Sequence, residues 1–441
     1  MVSILKPQKT KFKQTEIGMI PEEWEEVILS EVVEINPKRE LKRGAKSKFV
    51  SMGEIQPFTR KISNFIIKEF KGGGSKFKNG DTLFARITPC LENGKTAFVD
   101  ILDEEEVGFG STEFIVLSAK ENKTNPSFVY YLLRSPEVRS IAIKSMTGTS
   151  GRQRVENDVF DSIIINLPPL PEQRTIAKIL SDLDAKIELN QQMNKTLEAI
   201  GQAIFKHWFI DFEFPNEEGK PYKSSGGEMV YNEELGKEIP TGWGVKPIGS
   251  VVTVKGGSTP STEKMEYWEN GAINWCTPKD LSKLSSLVLL DTDRKITKAG
   301  LETISSGLLQ PGTLLLSSRA PIGYIAISEI PISINQGFIA IICDKELSSY
   351  YMLFWTKLNM ELIKSKAHGT TFQEINKASF RSIPILVPPL SVVVAFNRIA
   401  ESLYRRIVFN ELEIRNLSQI RDSLFPKLMS GKIRVPLEVR T

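Results

Sequence analysis

Little in this 441-residue chain supports catalysis by a side-chain nucleophile or a metal. It holds three cysteines, Cys90, Cys276 and Cys343, and two histidines, His207 and His368. The cysteines are far apart, odd in number and lack Cys-x-x-Cys spacing. That argues against a disulfide framework and a structural zinc site, and it fits a reducing cytoplasm. Neither histidine lies near a Ser, Cys or acidic pattern that makes a nucleophile set. No Gly-x-x-x-x-Gly-Lys-Ser/Thr loop is present, and no Gly-x-Gly-x-x-Gly follows a strand. Gly72-Gly73-Gly74, flanked by Lys71 and Lys76, fits neither pattern and reads as a flexible turn. The Asn/Asp-Pro-Pro-aromatic motif of amino-methyltransferases is approached only by Asn36-Pro37-Lys38-Arg39 and Leu167-Pro168-Pro169-Leu170. There is no apolar run of spanning length and no charged-then-apolar leader over Met1 to Ile20, so neither membrane insertion nor secretion is expected.

What is present is ordinary globular material, 41% hydrophobic and 25% charged, long enough for about three domain-sized units. The 57 basic residues are nearly cancelled by 53 acidic ones, but not evenly along the chain. Between Lys38 and Lys95 fourteen Lys/Arg face five acids. Such a cluster is either a solvated surface or a face for nucleic-acid phosphates.

The chain is written twice. Its opening Ile17-Gly18-Met19-Ile20-Pro21-Glu22-Glu23-Trp24 returns as Leu235-Gly236-Lys237-Glu238-Ile239-Pro240-Thr241-Gly242-Trp243, and a Val pair follows each, Val32-Val33 and Val251-Val252. Thr149 to Phe205 lies on Gly369 to Phe425 without a gap at a constant shift of 220. Gln153 meets Gln373, Phe160 meets Phe380, and Leu167-Pro168-Pro169-Leu170 meets Val387-Pro388-Pro389-Leu390. A repeat of that length is a duplicated domain-plus-helix unit rather than a solenoid.

After each Pro-Pro-Leu, apolar positions step by four and three. Ile176, Leu180, Leu183, Ile187, Asn190, Asn194 and Leu197 form one seam, and Phe396, Ala400, Leu403, Ile407, Asn410, Ile414 and Leu417 the other. This predicts two helices of roughly 35 residues, about 50 Å each, that pack along one another. Pro426 is expected to limit the second. Asn190 and Asn410, at equivalent places, would fix register at some cost in stability, or sit half-exposed near a crossing point. Short β-type runs and one helix precede each seam, and Pro215 to Pro240 reads as an extended linker.

This arrangement resembles the specificity subunits of type I restriction–modification systems over nearly the whole chain. The resemblance is carried by Gly80-Asp81-Thr82-Leu83-Phe84-Ala85-Arg86 and Gly110-Ser111-Thr112-Glu113-Phe114 in the first copy. In the second it is carried by Lys255-Gly256-Gly257-Ser258-Thr259-Pro260-Ser261, Trp275-Cys276-Thr277-Pro278-Lys279-Asp280, Leu316-Ser317-Ser318-Arg319 and Asn335-Gln336-Gly337-Phe338. The second helix start, Ser391-Val392-Val393-Val394, departs from the usual pattern kept by Pro171-Glu172-Gln173-Arg174. The resemblance implies an α+β protein with two mixed α/β target-recognition domains, two long helices in an antiparallel coiled coil, and an internal pseudo-twofold. The expected divisions are recognition domain 1 at 1–166, spacer helix 1 at 167–212, linker 213–239, recognition domain 2 at 240–386, spacer helix 2 at 387–432 and a tail at 433–441. It further implies no catalysis in this chain. Double-stranded DNA, two methyltransferase subunits and restriction/translocase subunits would be its partners, and S-adenosylmethionine, ATP and Mg would bind to those partners.

The repeat sorts roles. Residues shared by both copies cannot encode different half-sites, so Arg86/Arg319 and Gln153/Gln373 suit phosphate positioning or fold. Base choice should lie in segments that differ, such as Pro57 to Lys78 and Ser258 to Thr303. The candidate DNA contacts are Lys38, Arg39, Lys76, Lys78, Arg86, Thr149, Ser150, Arg152, Gln153 and Arg154 in the first copy. In the second they are Lys255, Ser258, Thr259, Lys279, Arg319, Thr370, Thr371 and Gln373. Helix pairing and subunit docking fall to Leu183, Ile187, Asn190, Leu197, Leu403, Ile407, Asn410 and Leu417. The rival readings are an enzyme in its own right and a helical scaffold with no DNA role.

Overall fold

Each Pro-Pro-Leu opens a continuous 40-residue helix in the computed structural model, which describes residues 11–16, 18–149, 151–319, 321–369 and 373–436. These helices, α1 (Leu170–Phe209) and α2 (Leu390–Met429), are each about 60 Å long. Pro426 does not stop α2, contrary to expectation. Three more residues remain helical, and the Pro426 carbonyl accepts from Ser430 N, because one missing N–H in the last turn removes a single bond. The second copy's departure at Ser391–Val394 does not shift the start of its helix.

The chain forms two compact units, one of Met1–Glu188 with Arg415–Thr441, the other of Leu189–Ile414. Each therefore contains one half of each helix, and the halves run antiparallel. In the first, Asp184 of α1 accepts from Arg421 of α2 at 2.8 Å. In the second, Asn190 donates to Glu413, Asn194 to Glu411 and Asn410 to Asn194, each at 2.8 Å. Asn190 and Asn410 are fully buried, so they are not half-exposed crossing residues. A layer of interlocked amides and carboxylates in an otherwise apolar seam disfavours any slipped register, since slippage would strand them without partners.

Ile187 and Ile407 are buried as expected, whereas Leu183, Leu197, Leu403 and Leu417 are half-buried. The fully buried neighbours are Asp184 and Tyr404. Each helix also packs on a recognition domain, which widens its buried stripe beyond a two-helix seam.

The helix ends are exchanged between copies. Phe205 of α1 packs its ring 5.1 Å from Tyr351 of the second copy. The 220-shifted pair, Phe425 of α2 and Tyr131 of the first copy, repeats this at 6.1 Å in the other unit. The segment after α2 continues the exchange: Arg434 bonds Glu172 at 2.7 Å, and Glu172 also accepts from Trp24 Nε1 at 2.9 Å. In the second unit the same positions are Phe214, Val392 and Trp243, and Phe214 sits 4.9 Å from Trp243. A buried polar bridge in one copy is an apolar contact in the other.

Glu411 carries a prediction. Its carboxyl is pushed up by burial, partly offset by Asn194. Since the folded state favours the neutral form, the charged form costs stability above that raised value. Glu411→Gln keeps the acceptor for Asn194 and is expected to stabilise the second unit at neutral pH by roughly 0.5–1 kcal/mol after allowance for residual solvent contact. The advantage should shrink as pH falls through the raised value. Thermal melts of both proteins at neutral and acidic pH check this.

Both recognition domains share one plan. In the first, strands β1 (Val33–Ile35), β2 (Lys46–Val50), β3 (Ile66–Glu69), β4 (Ser75–Phe77), β5 (Thr82–Ala85), β6 (Thr96–Phe98), β7 (Gly108–Gly110) and β8 (Phe114–Ala119) form two sheets, ordered β1-β8-β5-β6 and β3-β2-β7-β4. In the second, β9 (Thr253–Gly256), β10 (Ile273–Cys276), β11 (Val288–Leu289), β12 (Arg294–Ile296), β13 (Leu314–Ser317), β14 (Ile325–Ser328), β15 (Ile332–Ile334) and β16 (Phe338–Ile342) give β9-β16-β13-β14-β11 and β12-β10-β15. β7 pairs parallel with β2, and β15 pairs parallel with β10. The central strands β5, β8 and β13 are buried along most or all of their length, so both sheet faces are covered.

The Pro215–Pro240 stretch is folded rather than extended. Met229–Asn232 pairs with Lys237–Pro240, matching the hairpin Phe12–Thr15 with Gly18–Pro21 that opens the first copy. Phe214 is buried and stacks on Tyr222. The composition of this segment, rich in Gly, Ser and acids, hid a hairpin whose apolar contacts lie on the domain that follows it.

Candidate nucleic-acid interface

The strand ends β1, β2, β5 and β7 converge near the Thr147–Arg154 bridge, and in the second domain β9, β10, β13 and β15 converge near the His368–Glu374 bridge. At the centre of each lies a turn with identical bonding. Ser111 N donates to Val50 O at the end of β2, and Glu113 N to Ser111 Oγ. Asn335 N donates to Cys276 O at the end of β10, and Gly337 N to Asn335 Oδ1. The residue left exposed at the tip is Thr112 in one domain and Gln336 in the other.

In the first domain this tip lies among cations. Asn36, Lys38, Arg39, Gly74, Lys76, Arg86 and Thr112 line one open cleft, and Lys68, Lys71, Gly74, Ser111 and Thr112 line a second beside it. Gly74, expected in a flexible turn, is tightly packed: φ is +103°, and a Cβ would collide with the Gly110 carbonyl oxygen.

The structure separates engaged cations from free ones. Arg39 bonds the buried Asp81 at 2.6 Å, and Arg154 bonds Glu113 at 2.6 Å. Arg86 reaches Glu156 at 2.9 Å, Lys78 approaches Glu105 at 3.6 Å, and Arg319 approaches Glu374 at 3.7 Å. Arg154 holds the Glu113 carboxyl below the ordinary carboxylate range. Burial raises Asp81, against the opposing Lys78 N–H and Arg39 guanidinium. Lys76 donates to the Arg39 carbonyl and lies over Phe70. Lys38, Lys71, Arg152, Lys255 and Lys279 are exposed. Thr149 is exposed too, and the Gln153 backbone accepts from Thr88 N. Ser150, Thr370 and Thr371 lie outside the described residues, and Gln373 is exposed beside them.

In the second domain Ser258 closes a loop, donating to Thr303 O and accepting from Ser305 N. Thr259 Oγ1 donates to Gln336 Oε1 at 2.5 Å. Arg294 stacks its guanidinium 3.7 Å from the Trp268 ring centre. Part of the Pro57–Lys78 segment faces inward instead: Arg60 stacks on Phe98 at 4.0 Å. Sequence reasoning missed the tip residues, although both stretches containing them carried the resemblance. Nor did it single out Lys68 and Lys71 as contacts, although both lie in the basic cluster and in the Pro57–Lys78 segment expected to choose bases.

Gly257 anchors this turn from below. A Cβ there would overlap the Ile334 and Asn335 carbonyls, which are backbone and cannot swing aside. Gly257→Ala is expected to cost the second unit about 1–3 kcal/mol and to displace the 335–337 turn. Denaturant titration reads the first effect. Comparison of the DNA sequences selected by the variant and by wild type reads the second.

Two domains with matching strand-end surfaces, joined to a pair of antiparallel helices, define a duplicated two-domain architecture. The chain belongs to the type I restriction modification DNA specificity domain family, whose model matches residues 21–199 and 240–419. It is 26% identical to the MjaIX specificity subunit of Methanocaldococcus jannaschii, covering 97% of both chains. It is 27% identical to the HindI specificity subunit of Haemophilus influenzae, over 84% of this chain and 90% of that one. Over 42% of the chain and 32% of the relative it is 34% identical to the EcoEI specificity subunit of Escherichia coli. A crystal structure of the type I restriction-modification S subunit from M. genitalium shares the fold at a TM-score of 0.54 and 17% identity, covering 92% and 96%. Specificity subunits are the non-catalytic members of these systems, with catalysis in partner subunits. Among the described residues no helix is long and apolar enough to cross a membrane.

Proposed function

We propose that each recognition domain reads one half of a bipartite, asymmetric DNA site, and that the paired helices dock two methyltransferase subunits, with restriction/translocase subunits joining the full complex. The observation that carries this reading is the pair of matching strand-end surfaces with different residues at their tips. One framework used twice implies two equivalent approaches to a duplex, and unlike side chains imply unlike half-sites. Leu189, Phe409 and Leu412 are exposed on the helices and are the candidate apolar contacts for that docking. S-adenosylmethionine, ATP and Mg would then bind to the partner chains, and the reducing cytoplasm suits three free cysteines.

The test is selection from a randomised duplex pool by the full chain with its methyltransferase subunit. Two short conserved blocks separated by unread positions are the expected result. A single block, or no enrichment, overturns the bipartite reading. Turnover by the isolated chain with S-adenosylmethionine would place catalysis here instead.

A further inference from the structure

Building on that reading, we propose that Gln336 is the specificity-determining residue of the second domain that reads an adenine, with Thr259 as its positioning residue. Three observations converge on it. The first is equivalence. Gln336 and Thr112 occupy the tips of turns with the same two anchors, one accepted by a backbone carbonyl and one by a side chain of the turn, and Thr112 lies in the cleft lined by Lys38, Arg39, Lys76 and Arg86. A position surrounded by cations is where a polyanionic duplex comes closest.

The second is difference. The framework around both tips is shared, yet the tip side chain is a short hydroxyl in one domain and a carboxamide in the other. A shared element cannot distinguish two half-sites, whereas this one can. The third is orientation. Gln336 is exposed, and the Thr259 hydroxyl occupies one lone pair of its Oε1. Oε1 keeps a second lone pair, and Nε2 donates to no acceptor among the described residues. A carboxamide so held presents one acceptor and one donor side by side. That pair matches adenine N6–H and N7 in the major groove, and a threonine cannot reproduce it.

The experiment uses the full chain with its methyltransferase subunit and a randomised duplex pool, comparing wild type with Gln336→Ala, Gln336→Glu and Thr259→Val. Gln336→Ala should lose roughly 10–100-fold of preference at one A·T pair of one half-site. Gln336→Glu, which only accepts, should move that preference toward cytosine. Thr259→Val should weaken it at the same position without choosing a new base. The other half-site stays unchanged throughout. Since Gln336 is exposed, unaltered thermal melting is expected and separates readout from folding. If Gln336→Ala selects the wild-type sequence, or alters both half-sites, the assignment is wrong while DNA reading stands. If wild type itself enriches nothing, the broader reading fails as well.

Discussion

Replacing Asp184 with alanine should lower the stability of the first unit by about 3–5 kcal/mol, a drop on the order of 10 °C in its melting temperature. Asp184 is 4% exposed, accepts from two groups and pairs with a third. It accepts from Arg421 at 2.8 Å and from the Tyr131 hydroxyl at 2.7 Å, and it lies 3.8 Å from Arg134. Both arginine side chains are largely buried, at 15% and 8% exposure. Removing the carboxylate leaves the largely buried Arg134 without its carboxylate and Arg421 with Asp422 alone, at 2.9 Å, and the cost comes from those desolvated charges more than from the lost pair. Asp184→Asn keeps a partner for Tyr131 and should fall between wild type and alanine. Calorimetry resolving the two units checks this, and a melting profile unchanged within a degree would refute it. The second unit has Tyr404 at the equivalent position and should be unaffected.

The second large effect is electrostatic. Lys38, Lys68 and Lys71 line the adjoining clefts of the first domain, and none has a carboxylate partner among the described residues. Changing all three to alanine should weaken DNA binding on the order of 100-fold and reduce the slope of log affinity against log salt by about 2–3. The loss should be the same for every duplex, because phosphates carry no sequence. Arg86→Ala and Arg154→Ala should flatten the slope much less, since Glu156 and Glu113 already neutralise those cations. Filter binding across a salt series distinguishes the two groups. Equal slopes for all variants would remove this face from the interface.

That contrast shows what sequence could and could not supply. The duplication and the two pairing helices were legible, because periodicity and a gap-free repeat are local properties of the string; the antiparallel sense came only with the family resemblance, and the burial of Asn190 and Asn410 only with the structure. Which arginines are free was not. Arg39 finds Asp81, Arg154 finds Glu113 and Arg86 finds Glu156 across 41 to 70 positions, set by strand order rather than spacing. The seam was legible to within one position: Leu183 and Leu403 were expected inside, but Asp184 and Tyr404 are the buried residues, because a domain packs on each helix from the side. The tip residues Thr112 and Gln336 were inside recognisable stretches, yet nothing in those stretches marks which side chain stays exposed.

The division of the chain also has a consequence for its birth on the ribosome. Leu189–Ile414 is one uninterrupted stretch and can close as soon as it emerges. The first unit cannot, because Arg421, Phe425 and Arg434 are its last pieces. At ordinary elongation rates Trp24, Tyr131 and the opening turns of α1 wait on the order of 10–50 s for them. The recognition domain made first is thus the one completed last. A released chain ending before Arg415 would show native protection in the second domain and an unsealed, chaperone-binding surface on the first.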